Sequence, residues 1–132
     1  MSERKKLSPD WPWAKSHRIA QGVQVGDTVY TSGQIAMDPE GNVVGKGDLG
    51  AQARQVFDNI RAVLAEAGAT MDDVVKITAF ITDMSQYADY SAARAEAFSN
   101  NVPASSTVSC PVLVSPDLLV EVEAVAVIGS GA

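Results

Sequence analysis

The sequence predicts an α+β domain with the element order β-β-α-β-α-β-β, two helices packed on one face of a mixed sheet. Three observations carry that prediction. Apolar residues recur at three- and four-residue steps from Ala53 to Ala67, a helical period. A second apolar stripe of the same spacing runs through Tyr87, Tyr90, Ala93, Ala97 and Phe98. Three β-rich runs, Thr28–Ile35, Val74–Thr82 and Leu118–Ile128, alternate with them. Helices and strands interleaved in this way settle into two layers around one core.

The chain has 132 residues, which fits one domain with a core of its own. Residues 1–15 are polar and read as an N-terminal arm, with Trp11-Pro12-Trp13 as an apolar clasp; residues 16–132 read as the single domain. Ser16–Gln24 is a modest strand, Gly26-Asp27 a turn, and Thr28–Ile35 the second arm of a hairpin. Gly33 sits inside that strand pattern, where glycine marks a bulge or the close approach of another backbone or a ligand. Met37–Asn42 has turn chemistry.

In the first helix Asp48 is the start signal and Gly68 stands where a helix closes in a left-handed residue. The period points Ala53, Val56, Phe57, Ile60, Val63 and Leu64 inward and Gln52, Arg54, Asp58, Arg61 and Glu66 outward. Val74–Thr82 alternates as a strand. Ser85 reads as the cap of the second helix, which Asn100, Asn101 and Pro103 end. The next strand, Ser105–Cys110, is small and β-branched.

In the last strand alternation places Glu121 and Glu123 on one face and Val120, Val122, Ala124 and Ala126 on the other. Two carboxylates in so apolar a strand admit two readings, a solvated sheet face or a functional site. Helices cover only one face of such a sheet. The apolar surface left on the other face predicts self-association, with ligand sites in clefts between subunits.

Composition narrows the function. Apolar content is 46% and charge 20%, ordinary for a globular chain. No apolar run approaches the ~20 residues of a membrane span, and no secretory leader is visible. A single cysteine, Cys110, excludes an internal disulfide, fits a reducing cytoplasm and reads as a small buried apolar residue. With one histidine and one cysteine no metal-ligand spacing exists. Net charge is −6 without a basic stripe, which disfavours nucleic acid as a partner.

Taken together, several motifs resemble the Rid family, the small YjgF-type reactive-intermediate deaminases. They are Gln21-Gly22-Val23, Thr31-Ser32-Gly33-Gln34-Ile35, Gln52-Ala53-Arg54-Gln55 with Asp58-Asn59, and Ala67-Gly68. Asp73-Val74-Val75-Lys76 with Phe80 and Asp83, then Pro103-Ala104 and Glu121-Val122-Glu123-Ala124, complete the match over about 20–127. The resemblance implies a chorismate-mutase-like fold and a cytoplasmic homotrimer. It further implies interface clefts where imines or enamines of amino acids are hydrolysed to keto acids and ammonia without metal or cofactor.

Carried over by position, Glu121 is the water-orienting carboxylate and Gly33, beside Ser32, the backbone contact to the ligand. The family's carboxylate-gripping arginine corresponds to Ser105, its tyrosine to Ile19, its cysteine to Thr107 and its asparagine to Ser91. These four positions make the pocket atypical. His17 and Arg18 precede Ile19 and admit two readings: Arg18 or His17 brings a cation or base to the cleft for a differently shaped substrate, with Arg18 as the cation, or both are surface residues at a strand end. The alternative is a non-catalytic small-ligand-binding or regulatory trimer of the same fold. The endoribonuclease activity attributed to some relatives fits an acidic chain least.

Overall fold

The structure is a computed structural model, and residues 3–132 are described. Its strands are β1 (Arg4–Leu7), β2 (Gly22–Val25), β3 (Thr28–Thr31), β4 (Gln34–Ile35), β5 (Val74–Ile81), β6 (Ala104–Ser109) and β7 (Val120–Val127). The helices are α1 (Leu49–Ala65) and α2 (Tyr87–Ala97). The sheet runs β1-β2-β3-β7-β5-β6, with β4 also paired to β7. Every pairing is antiparallel except β5 with β6, the two strands that α2 connects. The α+β class stands, with two helices on one face of a mixed sheet.

The apolar side of β7 (Val120, Val122, Ala124 and Ala126) is buried together with Ile77, Ala79 and Ile81 of β5 and Val56, Phe57, Ile60, Val63 and Leu64 of α1. These side chains form the core, and their burial is the main stabilising term. α1 lies over β7, β4 and β3, with α2 beside it. The opposite sheet face carries Glu121 and Glu123, together with Tyr30, Phe80, Val108, Val125 and Val127, all at least partly exposed. No helix among the described residues is long and apolar enough to cross a membrane.

Five details differ from the expectations. The strand expected from Ser16 begins only at Gly22. The run Thr28–Ile35 is two strands, interrupted at Ser32-Gly33, because the Ser32 N–H turns to the Gln21 carbonyl at 2.8 Å. Ser85 does not cap α2: the α2 N-cap is Gln86, without a side-chain cap, and Asp83 caps the short 3-10 turn before it, Met84–Gln86, by accepting the Ser85 N–H at 3.1 Å. Gln52 is buried rather than outward. Cys110, expected buried, is half-buried after the edge strand β6.

Within the stretch read as an arm, β1 pairs with β2. The apolar clasp is a 3-10 turn, Pro12–Ala14, in which the Trp11 and Trp13 rings stack at 5.9 Å. Trp11 is buried.

Candidate functional site

Two amide side chains of α1 hold the backbone on either side of a cleft. Gln52 donates to the Asp117 carbonyl at 2.8 Å and accepts the Leu119 N–H at 2.7 Å, fixing the chain as it enters β7. Asn59 donates to the carbonyls of Ile35 and Met37 at 3.0 and 2.9 Å, fixing the chain as it leaves β4. Its own carbonyl oxygen accepts from Gln55 at 2.9 Å. Buried amides satisfied in this way set one backbone geometry, because leaving any member unpaired is costly.

Between these anchors β4 and β7 pair with Gln34 opposite Val122 and Ile35 opposite Glu121. The Glu121 side chain then lies directly over Gly33. A Cβ placed on Gly33 would stand 2.7 Å from the Glu121 Cδ and 2.9 Å from its Cγ, closer than real side chains approach. Gly33 has no positive φ, so the glycine is required by this close approach and not by its backbone conformation. On the other side Ser32 donates its hydroxyl to the Ala20 carbonyl at 2.6 Å, and Gln34 donates to the Gln21 side-chain oxygen at 3.0 Å.

The resulting cleft is about 360 Å³ and is lined by Trp13, His17, Ile19, Gln21, Ser32, Gly33, Gln34, Ile35, Val114 and Glu121. Glu121 is half-buried and has no ion-pair or hydrogen-bond partner among the described residues. Burial first, and the Glu123 carboxylate second, push its pKa above the ordinary carboxylate range. A carboxylate so placed accepts and returns protons nearer neutrality than a solvated one.

The expected site residues fall into two groups. Ile19, Ser32, Gly33 and Glu121 share the cleft; Arg18 is exposed and does not line it, whereas its neighbour His17 does. Ser91 and Ser105 line a separate groove of about 430 Å³ between α2 and the edge strand β6. Ser105 pairs with Ile77 and Thr107 with Ala79, so both belong to the helix-covered side of the sheet, opposite Glu121. Within the chain the two groups do not meet. Among the described residues no cluster of histidine, cysteine and carboxylates is suited to a metal ion.

Trp13, Gln21 and Val114 in the cleft and Arg94 in the groove were not expected. Trp13 and Val114 are far from Gly33 in sequence, and only the fold of the chain brings them beside it. Arg94 carried a weak signal, a lone arginine three residues after Ser91 and therefore on the same helical face.

Residues 13–128 match the family model described as endoribonuclease L-PSP. A RutC family protein of Pyrococcus abyssi is 38% identical over 107 residues, 81% of this chain and 84% of the relative. YyfA of Yersinia pestis, from the conserved Rid protein family, superposes with a TM-score of 0.88 at 33% identity, over 96% of this chain and 100% of that one. The YjgF gene product of E. coli gives a TM-score of 0.86 at 35% identity, over 93% and 98%.

Proposed function

Because the chain belongs to the endoribonuclease L-PSP family, the Rid/YjgF family whose motifs it carries, we propose that it is a small-molecule imine or enamine deaminase. Family membership itself supports a deaminase-like or small-molecule-binding role. The finer reading is hydrolysis at clefts shared between copies in a homotrimer, without cofactor, on a substrate altered from the family's usual one. In that reaction water adds to the C=N carbon, the nitrogen gains the proton, and the C–N bond then breaks to leave a carbonyl compound and ammonia. Glu121 orients and deprotonates the water and returns the proton to nitrogen, while the bare backbone at Gly33 lets the substrate lie against the carboxylate.

The observation that carries this reading is the unpaired Glu121 carboxylate folded over Gly33 in an open cleft. The assembly has its own support. Glu121 lies on a sheet face with Tyr30 51% and Val108 43% exposed, and apolar area of that kind is covered by another copy in stable oligomers. A cyclic arrangement brings the α2–β6 groove of one copy to the Glu121 cleft of the next. The pocket is altered where Ile19, 58% exposed, presents an aliphatic wall and Ser105 a hydroxyl.

The same two positions favour a second reading, a trimer that binds a small ligand without turnover. Ammonia release from freshly generated imines of a panel of amino acids separates the two. In the enzyme, Glu121→Gln abolishes release; if wild type accelerates no member of the panel, the binding reading replaces it. RNA cleavage, which the name of the family model records, is disfavoured by a net charge of −6.

A further inference from the structure

Arg94 differs from the other helical arginines. Arg54 pairs with Glu96 at 3.0 Å and Arg61 with Asp58 at 2.6 Å, whereas Arg94 has no carboxylate partner among the described residues. It is half-buried on α2, and its guanidinium carbon sits 5.4 Å from the Tyr90 ring centre and 5.9 Å from that of Tyr87. Only Nη2 finds acceptors, the Tyr87 hydroxyl at 3.4 Å and the Ser91 hydroxyl at 3.3 Å, and both contacts are long.

Neither tyrosine ring neutralises the charge. Tyr90 is fully buried, its hydroxyl has no partner among the described residues, and burial pushes its pKa up to about 12, so it stays a neutral phenol. The guanidinium lies near both rings, and its Nε and Nη1 have no acceptor among the described residues, so it keeps N–H donors for a carboxylate. A partly desolvated cation without a counter-charge gains most from binding one.

Arg94 lines the α2–β6 groove. Phe98, Val102 and Pro103 give the groove apolar walls, and Ser91 and Ser105 place hydroxyls beside them. We propose that Arg94 is the anion anchor of this groove and holds the carboxylate of a small monocarboxylic acid whose short branched aliphatic tail lies on Phe98, Val102 and Pro103. The inference rests on the interface-site reading above, to which it adds the group that grips the substrate's acid end.

The test titrates sodium 3-methylbutanoate and its uncharged analogue 3-methylbutanamide into the full-length protein, followed by NMR chemical shifts. Wild type should bind the acid at least tenfold more tightly than the amide. Arg94→Gln should bring that ratio to about one, Arg94→Lys should keep part of it, and Arg61→Gln, which removes an arginine that lines neither the cleft nor the groove, should keep all of it. Because the ratio is internal to each variant, a modest loss of folded protein does not imitate the effect. An acid-to-amide ratio in Arg94→Gln equal to wild type, or no preference in wild type, overturns the inference. If the Arg94-dependent preference is found while no imine is hydrolysed, the deaminase reading alone falls. Glu121-dependent hydrolysis with an Arg94-independent ratio removes only the anchor.

Discussion

Replacing Gln52 with leucine should destabilise the protein although it puts an apolar side chain of similar size into a fully buried position. The wild-type amide satisfies the Leu119 N–H at 2.7 Å and the Asp117 carbonyl at 2.8 Å. Leu119 is half-buried at the start of β7, and its N–H has no other acceptor, so losing the amide leaves a nearly dry donor. Asp117 is exposed, and its carbonyl can turn to water. A buried unsatisfied donor costs about 1–3 kcal/mol, and a hydrogen bond exchanged for water about 0.5–1.5 kcal/mol. The added apolar contact of leucine offsets part of the sum, which leaves a net loss of about 2 kcal/mol. Urea unfolding followed by the fluorescence of Trp11 and Trp13, at one fixed protein concentration, measures it. A Gln52→Leu protein as stable as wild type would refute the reasoning, because the amide would then not hold the entry to β7.

Two further predictions concern the cleft. Gly33→Ala should fold normally, since Gly33 has no positive φ, yet its Cβ would meet the Glu121 Cδ at 2.7 Å and displace the carboxylate. Imine hydrolysis should fall on the order of 10–100-fold in kcat/KM, and unchanged kinetics would detach Gly33 from the reaction. Glu121→Gln should be more stable than wild type at pH 7. Burial, then Glu123, raises the folded pKa of Glu121 above its ordinary 4.5, so its favourable contribution is fully present below that value and is lost as pH rises through the folded one. The difference between the two urea midpoints should shrink toward zero at about pH 4, and a difference independent of pH contradicts the burial of that charge.

The fold was largely legible because the apolar periods of α1 and β7 are strong and agree with tertiary packing. Where they failed, a specific competitor won. Gln52 stands on the outward side of the α1 pattern but is drawn in by two backbone groups on the β7 approach, a partnership 65 and 67 residues away that no local period records. The Thr28–Ile35 run is uniformly β-forming, and only the Ser32 N–H bonding to Gln21 breaks it. Ser85 and Asp83 are both good caps; Asp83 caps a short 3-10 turn ahead of α2, because its carboxylate accepts the Ser85 N–H, and the helix then starts from Gln86 without a side-chain cap.

Glu121 and Gly33 were legible as a conflict, a carboxylate and a glycine inside β-forming runs. Their direct contact follows from the β4–β7 register, which lies beyond local sequence. Arg94 was missed because its significance lies in what it lacks, a carboxylate partner, and pairing is decided by packing.

The central claim is that the Glu121 cleft of one copy and the α2–β6 groove of another form one site. It is tested most directly by complementation between two inactive variants. Glu121→Gln removes the carboxylate, and Ser105→Trp fills the groove with an indole. Each variant alone should be inactive in the imine assay. Co-refolded in equal amounts into a cyclic oligomer, they should form wild-type sites at about a quarter of the interfaces and recover about a quarter of wild-type activity. A mixture no more active than the two variants measured separately would contradict a site shared between copies.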